Sequence, residues 1–273
     1  MIRLPIHPDR LRRRWRRLSK ALAARATEFD LQRRRTRDVV VVSYPKSGRT
    51  WLRFMLGRMG IKLRFEHEGS ENRYGRLLKD IASRPLNWSD WRVVVMVRDP
   101  RDTVVSSYFE ATKRVKEWHR YDGTMSEFMR SPNFGLAKIA GYNLLWLEAG
   151  PTFRAFLPVT YEDLRRDAAS ELRRLVSFAL GRPPSERAVC RAVEAGSFDN
   201  MRRVELSLAG RLSNRLRLGG GDPADPESMK TRKGKVGGWR DYFDGADVAY
   251  MDKVLADLCY WDRLRAVTGA TGD

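Results

Sequence analysis

The sequence of 273 residues is poor in cysteine and histidine and contains no long apolar run. Two cysteines, Cys190 and Cys259, are too few for a disulfide framework, and with three histidines they do not form the repeated pairs of a zinc cluster. No stretch of about 18 apolar residues is present, which argues against a membrane-spanning helix. The amino terminus is basic but lacks the apolar segment of a secretory signal. These absences predict a cytoplasmic protein with neither disulfides nor a bound metal.

Acidic residues are also scarce, at 34 Asp and Glu against 53 Lys and Arg, which gives a net charge of +19. Arginine supplies 42 of the basic residues. Such an excess indicates an anionic partner, which could be a nucleotide, a polyanion or an acidic membrane. Codon bias in a GC-rich genome would explain the same excess, and the two explanations are compatible. The hydrophobic fraction of 42% is ordinary for a globular protein with a packed core.

The basic charge is densest in residues 1–38, which hold 13 Lys and Arg against four Asp and Glu. Apolar residues recur there at helical spacing with arginines between them, at Leu11, Trp15, Leu18 and Leu22. This pattern predicts a basic amphipathic helix, which could lie on an anionic membrane or pack on the neighbouring domain. We therefore divide the chain into a basic extension, residues 1–38, and one domain, residues 39–273.

Beyond the extension, β-branched runs alternate with helical patterns. Parallel strands are predicted at Val39–Val42, Ile61–Phe65, Val93–Val97 and Phe156–Thr160. Helices are predicted at Thr50–Met59, from Pro100 to about Lys113, and at Phe134–Glu148, Ala168–Leu180, Glu186–Ala195 and Asp247–Leu258. This alternation predicts an α/β, P-loop-like fold of three layers, with a central parallel sheet flanked by helices. The polar stretch Leu206–Gly238 is predicted to be a mobile loop.

One predicted strand-to-helix connection has the composition of an anion site. The run Tyr44-Pro45-Lys46-Ser47-Gly48-Arg49-Thr50-Trp51 follows the first strand and opens the first helix. The first amides of a helix lack intrahelical partners and, with the helix dipole, attract anions. Gly48 permits close approach of the backbone to a phosphate, and Lys46 supplies a mobile charge for an oxygen that becomes negative as a bond breaks. The pattern of ATP-binding loops is absent, and no acidic residue is evidently placed to hold magnesium.

This run resembles the phosphosulfate loop of sulfotransferases that use PAPS (3′-phosphoadenosine 5′-phosphosulfate), with Arg49 standing where the family usually has Thr. Two further segments resemble the family's site for the 3′-phosphate. In one, Arg98 ends a predicted strand and Ser106 follows eight residues later, within a helix. The other is the run Arg232-Lys233-Gly234-Lys235-Val236-Gly237-Gly238-Trp239, which is similar to the family's Arg-Lys-Gly-x-x-Gly-x-Trp segment.

The resemblance implies a PAPS site without a metal, from which PAP is the product. The phosphosulfate would be held by Lys46, Ser47, Gly48, Arg49, Thr50 and Trp51. The 3′-phosphate would be held by Arg98, Ser106, Arg232, Lys233 and Gly234. The adenine would be enclosed by Trp51, Tyr161 and Phe198, with Ser197 beside them and Gly196 in place of the family's Thr.

The family's catalytic histidine lies between the two phosphate signatures, which is the position of His67 here. An ordinary histidine has a pKa near 6.5 and can accept a proton at working pH. Glu66 or Glu68 could orient His67 or raise its basicity. Because the sequence around His67 departs from the family's usual context, either glutamate could instead be the base.

We therefore expect a sulfotransferase that moves a sulfuryl group in line from PAPS to a hydroxyl or amine, with Lys46 and His67 as catalytic residues. The acceptor could be a small molecule, a glycan or a lipid, and an anionic one would suit Arg211, Arg215 and Arg217. Its expected location is the cytoplasm or the inner face of the membrane.

The sequence leaves two alternatives to this expectation. A nucleotide-dependent kinase is disfavoured by the missing ATP-loop lysine context and by the Arg98–Ser106 spacing. A charge-driven binder of membranes or nucleic acids is the other alternative. No helix-turn-helix, zinc or RNA-binding signature supports a specific nucleic-acid partner.

Overall fold

The protein is described by a computed structural model over residues 36–68, 77–115, 120–207 and 221–269. The predicted amphipathic helix of the basic extension lies outside these ranges, as do the three arginines at positions 211, 215 and 217. Among the described residues, no helix combines the length and the apolar character needed to cross a bilayer.

Four strands form one parallel sheet in the order β2–β1–β3–β4. They are β1 (Val39–Val42), β2 (Arg64–Glu66), β3 (Arg92–Val97) and β4 (Ala155–Thr160). The pairing aligns Val40 with Arg64 of β2 and Val42 with Val95 of β3. The runs of valine in β1 and β3 suit central strands, because both faces of these strands are buried. The predicted parallel sheet is confirmed.

Helices connect the strands and cover both faces of the sheet. They are α1 (Arg49–Arg58), α2 (Pro100–Lys113), α3 (Met125–Arg130), α4 (Leu136–Glu148), α5 (Tyr161–Arg166), α6 (Ala168–Leu180), α7 (Glu186–Ala195), α8 (Phe198–Leu206), α9 (Gly245–Asp257) and α10 (Tyr260–Thr268). Single 3₁₀ turns occur at Leu78–Ile81, Arg84–Trp88, Gly150–Thr152, Pro226–Ser228 and Gly238–Asp241.

The core divides at the sheet because successive strand residues point to opposite faces. Val40 and Val42 pack in one cluster with Trp146 of α4. Val39 and Val41 pack in the other cluster, which includes residues of α1, α6 and α7. The sheet is therefore the middle layer between two helical layers, as predicted.

The second strand was predicted at Ile61–Phe65 but forms at Arg64–Glu66. Helix α1 ends at Arg58, and the chain must then cross from the helical layer to the sheet edge. Ile61 is buried on the way, in the cluster beside α1, and pairing with β1 begins only at Arg64. The apolar run therefore marks burial rather than strand pairing. The short helices α3, α5, α8 and α10 were not assigned as helices from the sequence.

Candidate active site

Residues that follow each of the four strands line one cavity of about 340 Å³. Pro45 follows β1, His67 follows β2, Arg98 follows β3 and Tyr161 follows β4. This position, beyond the carboxyl ends of an open parallel sheet, is where α/β proteins bind ligands. The volume is in the range of small-molecule and cofactor sites.

The cavity brings together the predicted site residues except Ser47 and Ser197. It is lined by Lys46, Gly48, Arg49, Thr50, Trp51, His67, Arg98, Ser106, Tyr161, Phe198, Arg232, Lys233 and Gly234. Ser47 is fully buried, and its Oγ has no hydrogen-bond partner among the described residues. Ser197 instead caps α8, where its side chain accepts a hydrogen bond from the Asn200 amide. Neither serine side chain lies at the cavity wall.

The backbone of the loop between β1 and α1 is shaped to approach an anion. Lys46 and Gly48 both adopt left-handed conformations, with φ of 73° and 91°. Glycine adopts such angles readily, whereas a lysine there carries strain of the kind that concentrates at functional sites. Within the described ranges, no side chain caps the first turn of α1. The partial positive charge of this helix end is therefore available to a ligand.

The ammonium group of Lys46 lies 3.4 Å from the carboxylate of Glu110. Glu110 lies on α2 one turn after Ser106, and both side chains line the cavity. Burial alone would raise the pKa of Glu110, but Lys46 and Arg114 outweigh it and hold that pKa below its usual range. Burial lowers the pKa of Lys46 in spite of Glu110. An anion at the loop would therefore compete with Glu110 for Lys46.

Arg98 connects the three segments that sequence motifs single out. Its guanidinium donates to the backbone carbonyls of Lys46 and Lys235, at 3.4 Å each. It also lies 4.3 Å above the ring of Tyr161 and pairs with Asp102 at 3.5 Å. Its Nε is buried without a hydrogen-bond partner in the described part of the chain. Arg98 is thus fixed as a cation where the three segments meet.

The basic segment, residues 230–239, is anchored at its start by Glu205 of α8. This carboxylate is 2% exposed and accepts hydrogen bonds from the amides of Lys230 at 2.6 Å and Thr231 at 2.8 Å. Hydrogen bonds to a buried carboxylate are among the strong ones in proteins. The segment therefore enters the cavity from a fixed point.

Asp102 of α2 anchors the other end of the basic segment. This carboxylate is also 2% exposed, and it accepts hydrogen bonds from the amides of Gly237 at 2.9 Å and Trp239 at 3.0 Å. The prediction of a mobile loop over Leu206–Gly238 is therefore corrected for the basic segment. Its backbone is held by two carboxylates that lie on helices outside it.

Arg232 and Lys233 have acidic partners of their own. Arg232 pairs with Glu227 at 3.0 Å, and Lys233 pairs with Asp241 at 2.9 Å. Both cations line the cavity. A phosphate at this wall would share them with these carboxylates, which lie outside the lining.

Three aromatic side chains, those of Trp51, Tyr161 and Phe198, contribute to the cavity wall. The rings of Trp51 and Tyr161 meet edge to face at 5.8 Å. Nε1 of Trp51 donates to the carbonyl of Gly196 at 2.6 Å, and a Cβ at Gly196 would lie 3.0 Å from that nitrogen. Glycine in place of threonine therefore permits this close contact. Phe198 packs against Gly234, where a Cβ would lie 2.7 Å from the ring.

His67 is held between a carbonyl and a guanidinium. Its Nδ1 lies 3.0 Å from the carbonyl oxygen of Ser43, which can only accept, so Nδ1 carries the proton of the neutral ring. Nε2 then accepts a hydrogen bond from the Arg49 guanidinium. Burial, followed by the charge of Arg49, lowers the pKa of His67 to about 4. His67 is therefore neutral at pH 7.

The sequence left open whether Glu66 or Glu68 orients His67. Glu66 pairs with Arg64 at 2.8 Å. Burial, followed by Glu66, raises the pKa of Glu68. The ring nitrogens of His67 bond instead to Ser43 and Arg49, as described above. Neither glutamate belongs to the described lining of the cavity, which favours His67 as the base.

The described lining carries nine Lys and Arg side chains and one carboxylate, that of Glu110. Five of these charged residues were not predicted as site residues from the sequence: Arg53, Glu110, Arg165, Lys230 and Lys235. Helical spacing was an available signal for three of them, because each lies four residues after an assigned position. Within the described residues, no group of three or more His, Cys, Asp or Glu side chains is placed to hold a metal ion.

Fold and cavity together define a P-loop-like α/β protein with a strongly cationic site at the carboxyl edge of its sheet. Residues 79–262 match the family model of the sulfotransferase domain. The chain therefore belongs to the sulfotransferase family. The matched range includes Arg98 and the basic segment but begins after the loop at residues 44–51. The motif in the loop is therefore a separate indication of the same family.

Curated relatives and solved structures agree with this assignment. Sulfotransferase 2A1 of Macaca fascicularis is 24% identical over 250 residues, covering 81% of this chain and 83% of the relative. Flavonol 3-sulfotransferase of Flaveria bidentis is 25% identical over 264 residues, covering 80% of each chain. The structure of mouse sulfotransferase SULT7A1 with PAP shares the fold at a TM-score of 0.58 and 19% identity, covering 81% of this chain and 82% of that one.

A structure of retinol dehydratase with retinol and PAP is similar to the same degree. Its TM-score is 0.59 at 20% identity, with 81% of each chain covered. The solved structures confirm the predicted fold, and the match to the family model confirms the predicted family.

Replacing Arg49 with threonine, Arg49→Thr, should raise the pKa of His67 from about 4 toward the ordinary value of 6.5, because a neighbouring cation disfavours the imidazolium. A proton–nitrogen NMR titration of the nucleotide-free protein measures this pKa, with a His67→Asn sample to assign the signal. Arg58→Thr, an exposed position on the same helix, is the control and should leave it unchanged. Equal pKa values in the wild type and Arg49→Thr would contradict the assigned contact.

Removing the carboxylate of Asp102, in Asp102→Ala, should release the end of the basic segment. The amides of Gly237 and Trp239 lose their acceptor, and we expect their hydrogen exchange to accelerate by ~tenfold or more. The free energy of unfolding should fall by about 1–3 kcal/mol. Exchange mass spectrometry and urea denaturation measure the two effects, with the exposed Asp122→Ala as control. Unchanged protection of both amides would show that Asp102 does not anchor the segment.

Proposed function

We propose that this protein transfers a sulfuryl group from PAPS to a hydroxyl or amine of an acceptor and releases PAP. The observation that carries the proposal is the meeting of three motif segments in one cavity. Lys46 and Arg98 are 52 residues apart in sequence, and Arg98 and Lys235 are 137 apart, yet Arg98 bonds to both. A structural role alone would not require all three segments to present cations to the same space.

The chemistry of the lining suits both anionic parts of PAPS. In the proposed complex the phosphosulfate lies on the loop at residues 44–51, and the 3′-phosphate lies with Arg98, Ser106, Arg232 and the adjoining Lys233 and Gly234. PAPS carries about four negative charges, and the several cations of the lining can compensate them. The aromatic wall offers ring faces and edges to the purine. The mouse sulfotransferase and retinol dehydratase structures are complexes with PAP, which supports this choice of nucleotide.

In the proposed transfer to a hydroxyl, the acceptor oxygen forms a bond to sulfur while the bond from sulfur to the 5′-phosphate oxygen breaks in line. The electron pair of the broken bond stays on that phosphate oxygen, where Lys46 stabilises the developing charge. The acceptor proton passes to Nε2 of His67. The hydrogen bond from Nδ1 to the carbonyl of Ser43 keeps the tautomer that leaves Nε2 ready to accept.

The contact between Arg49 and His67 must break before His67 can act as the proposed base. Its guanidinium occupies Nε2 of His67, the same atom that would take the proton. The loop anion offers Arg49 a stronger, charge-assisted partner than a neutral imidazole. We therefore propose that binding of PAPS draws Arg49 from His67 and frees the base.

The proposed acceptor is a small molecule, a glycan or a lipid. The Flaveria relative is named for a flavonol, which supports a small hydroxylated molecule. Contact of residues 1–38 with an anionic membrane, and the cytoplasmic location, stay predictions. The kinase and the charge-driven binder gain no specific support from the described site.

The variant Lys46→Ala should lower turnover by about 100-fold or more, because the leaving oxygen loses its cation. Transfer of labelled sulfate from PAPS to a panel of hydroxylated small molecules, read by mass spectrometry, measures it. Lys253→Ala is the matched control, since Lys253 is exposed on α9 and pairs with Asp257 at 2.9 Å. Circular dichroism should show that both variants are folded. Near-normal transfer by folded Lys46→Ala would overturn the assigned role.

A further inference from the structure

Three cations near His67 and Glu110 have no part in the nucleotide contacts proposed above: Arg53, Arg114 and Lys230. Arg53 and Lys230 line the cavity. Arg114 follows the end of α2 and lies within electrostatic reach of Glu110 and Lys230. The charges of Arg114 and Lys46 disfavour the ammonium form of Lys230, and a bound anion would relieve that repulsion.

Arg53 is placed by helix α1 and by the neighbouring strand. It lies one turn after Arg49, so both side chains project from the same helix face into the cavity. Its guanidinium lies 4.4 Å above the ring of Phe65, at the centre of β2. Such stacking holds the guanidinium plane while its N–H groups remain in that plane. The charge of Arg53 reaches His67 and contributes to lowering its pKa.

Lys230 approaches from the basic segment. Glu205 accepts hydrogen bonds from the backbone amides at 230 and 231, so the position of Lys230 in the chain is fixed. Burial, followed by the charges of Arg114 and Lys46, lowers the pKa of its ammonium to about 8. An ammonium held among other cations in this way gains stability when an anion binds beside it.

Two carboxylates, those of Glu110 and Glu205, act electrostatically on Arg114 and Lys230, and each also binds another group of the protein. Glu110 pairs with Lys46 at 3.4 Å, and Glu205 accepts the two backbone amides of the basic segment. This wall therefore differs from one that suits an apolar molecule such as retinol, which is bound in the similar retinol dehydratase structure. Its excess charge is positive and lies beside the proposed base.

We infer that the acceptor carries an oxyanion, namely a carboxylate, sulfonate, sulfate or phosphate, which Arg53 and Lys230 hold while the acceptor hydroxyl lies next to His67. The inference rests on the proposed function and specifies its substrate class. Guanidinium and ammonium groups are the usual partners of such oxyanions, and Arg53 can donate two parallel hydrogen bonds to one.

Four phenols of similar size but different charge test the inference. They are 4-hydroxyphenylacetate and 4-hydroxybenzenesulfonate, which are anionic, neutral 4-ethylphenol and cationic tyramine. With the full chain and saturating PAPS, we expect kcat/KM for at least one anionic phenol to exceed that for 4-ethylphenol by ~tenfold or more, with tyramine poorest. Comparison of kcat/KM for the two anionic phenols shows whether the site prefers a carboxylate or a sulfonate. Equal use of all four phenols, or preference for the neutral or cationic one, would overturn the inference.

Variants of Arg53 and Lys230 test whether these two residues cause a preference for anionic phenols. In the double variant Arg53→Gln, Lys230→Gln the ratio of anionic to neutral kcat/KM should fall to within about twofold. Arg58→Gln, on the same helix but outside the described lining, is the matched control and should keep the wild-type ratio. The affinity of each variant for PAP is measured by calorimetry. Loss of PAP affinity with an unchanged ratio would assign these cations to the nucleotide and contradict the inference.

A final binding measurement distinguishes failure of this inference from failure of the proposed function. If none of the phenols is sulfated, calorimetry measures their binding to the PAP-loaded protein. Tighter binding of an anionic phenol supports the inference, and equal or absent binding of all four contradicts it. Failure of the wild type to bind PAP would overturn the proposed function itself, whereas PAP binding without a charge preference overturns only the acceptor class.

Discussion

The parallel pairing of β1 with β3 is the constraint that places the active site. Its register sets Val42 opposite Val95, so both strands run to the same edge of the sheet. Each strand then turns into a helix, α1 after β1 and α2 after β3, and both helices begin at that edge. This arrangement brings the Lys46 loop against Arg98, so the segments that follow β1 and β3 line one cavity.

The cationic cavity depends on three carboxylates. Asp102 and Glu205 are buried and fix the two ends of the basic segment, so its cations are presented from a defined backbone. Glu110 lies in the lining itself and pairs with Lys46. The first two carboxylates hold the site together, while the third compensates charge that a bound anion would take over. A polyanionic ligand would relieve the remaining repulsion among the cations, which favours its binding.

Strands and motifs that depend on neighbouring residues were predictable from the sequence, whereas most contacts between distant residues were not. The runs of valine predicted β1 and β3. The resemblance implied that three segments converge, namely the loop at residues 44–51, Arg98 and the basic segment, and they do. Anchoring by Glu205 was not predictable, because a buried carboxylate on an unassigned helix has no signature of its own. The hydrogen bond between Arg49 and His67 depends on where β2 lies against β1, and the sequence placed that strand too early, at Ile61–Phe65. Arg53 and Glu110 had only helical spacing to mark them.

The central claim is that the cavity binds an adenine nucleotide through both a 5′- and a 3′-phosphate, without a divalent cation. Thermal unfolding of the full chain in EDTA, with equal concentrations of PAP, AMP or ATP, tests it most directly. PAP should raise the melting temperature by several degrees, while AMP and ATP should do little, because ligand affinity appears as stability of the folded state. Equal stabilisation by AMP and PAP, or stronger stabilisation by ATP, would contradict the account.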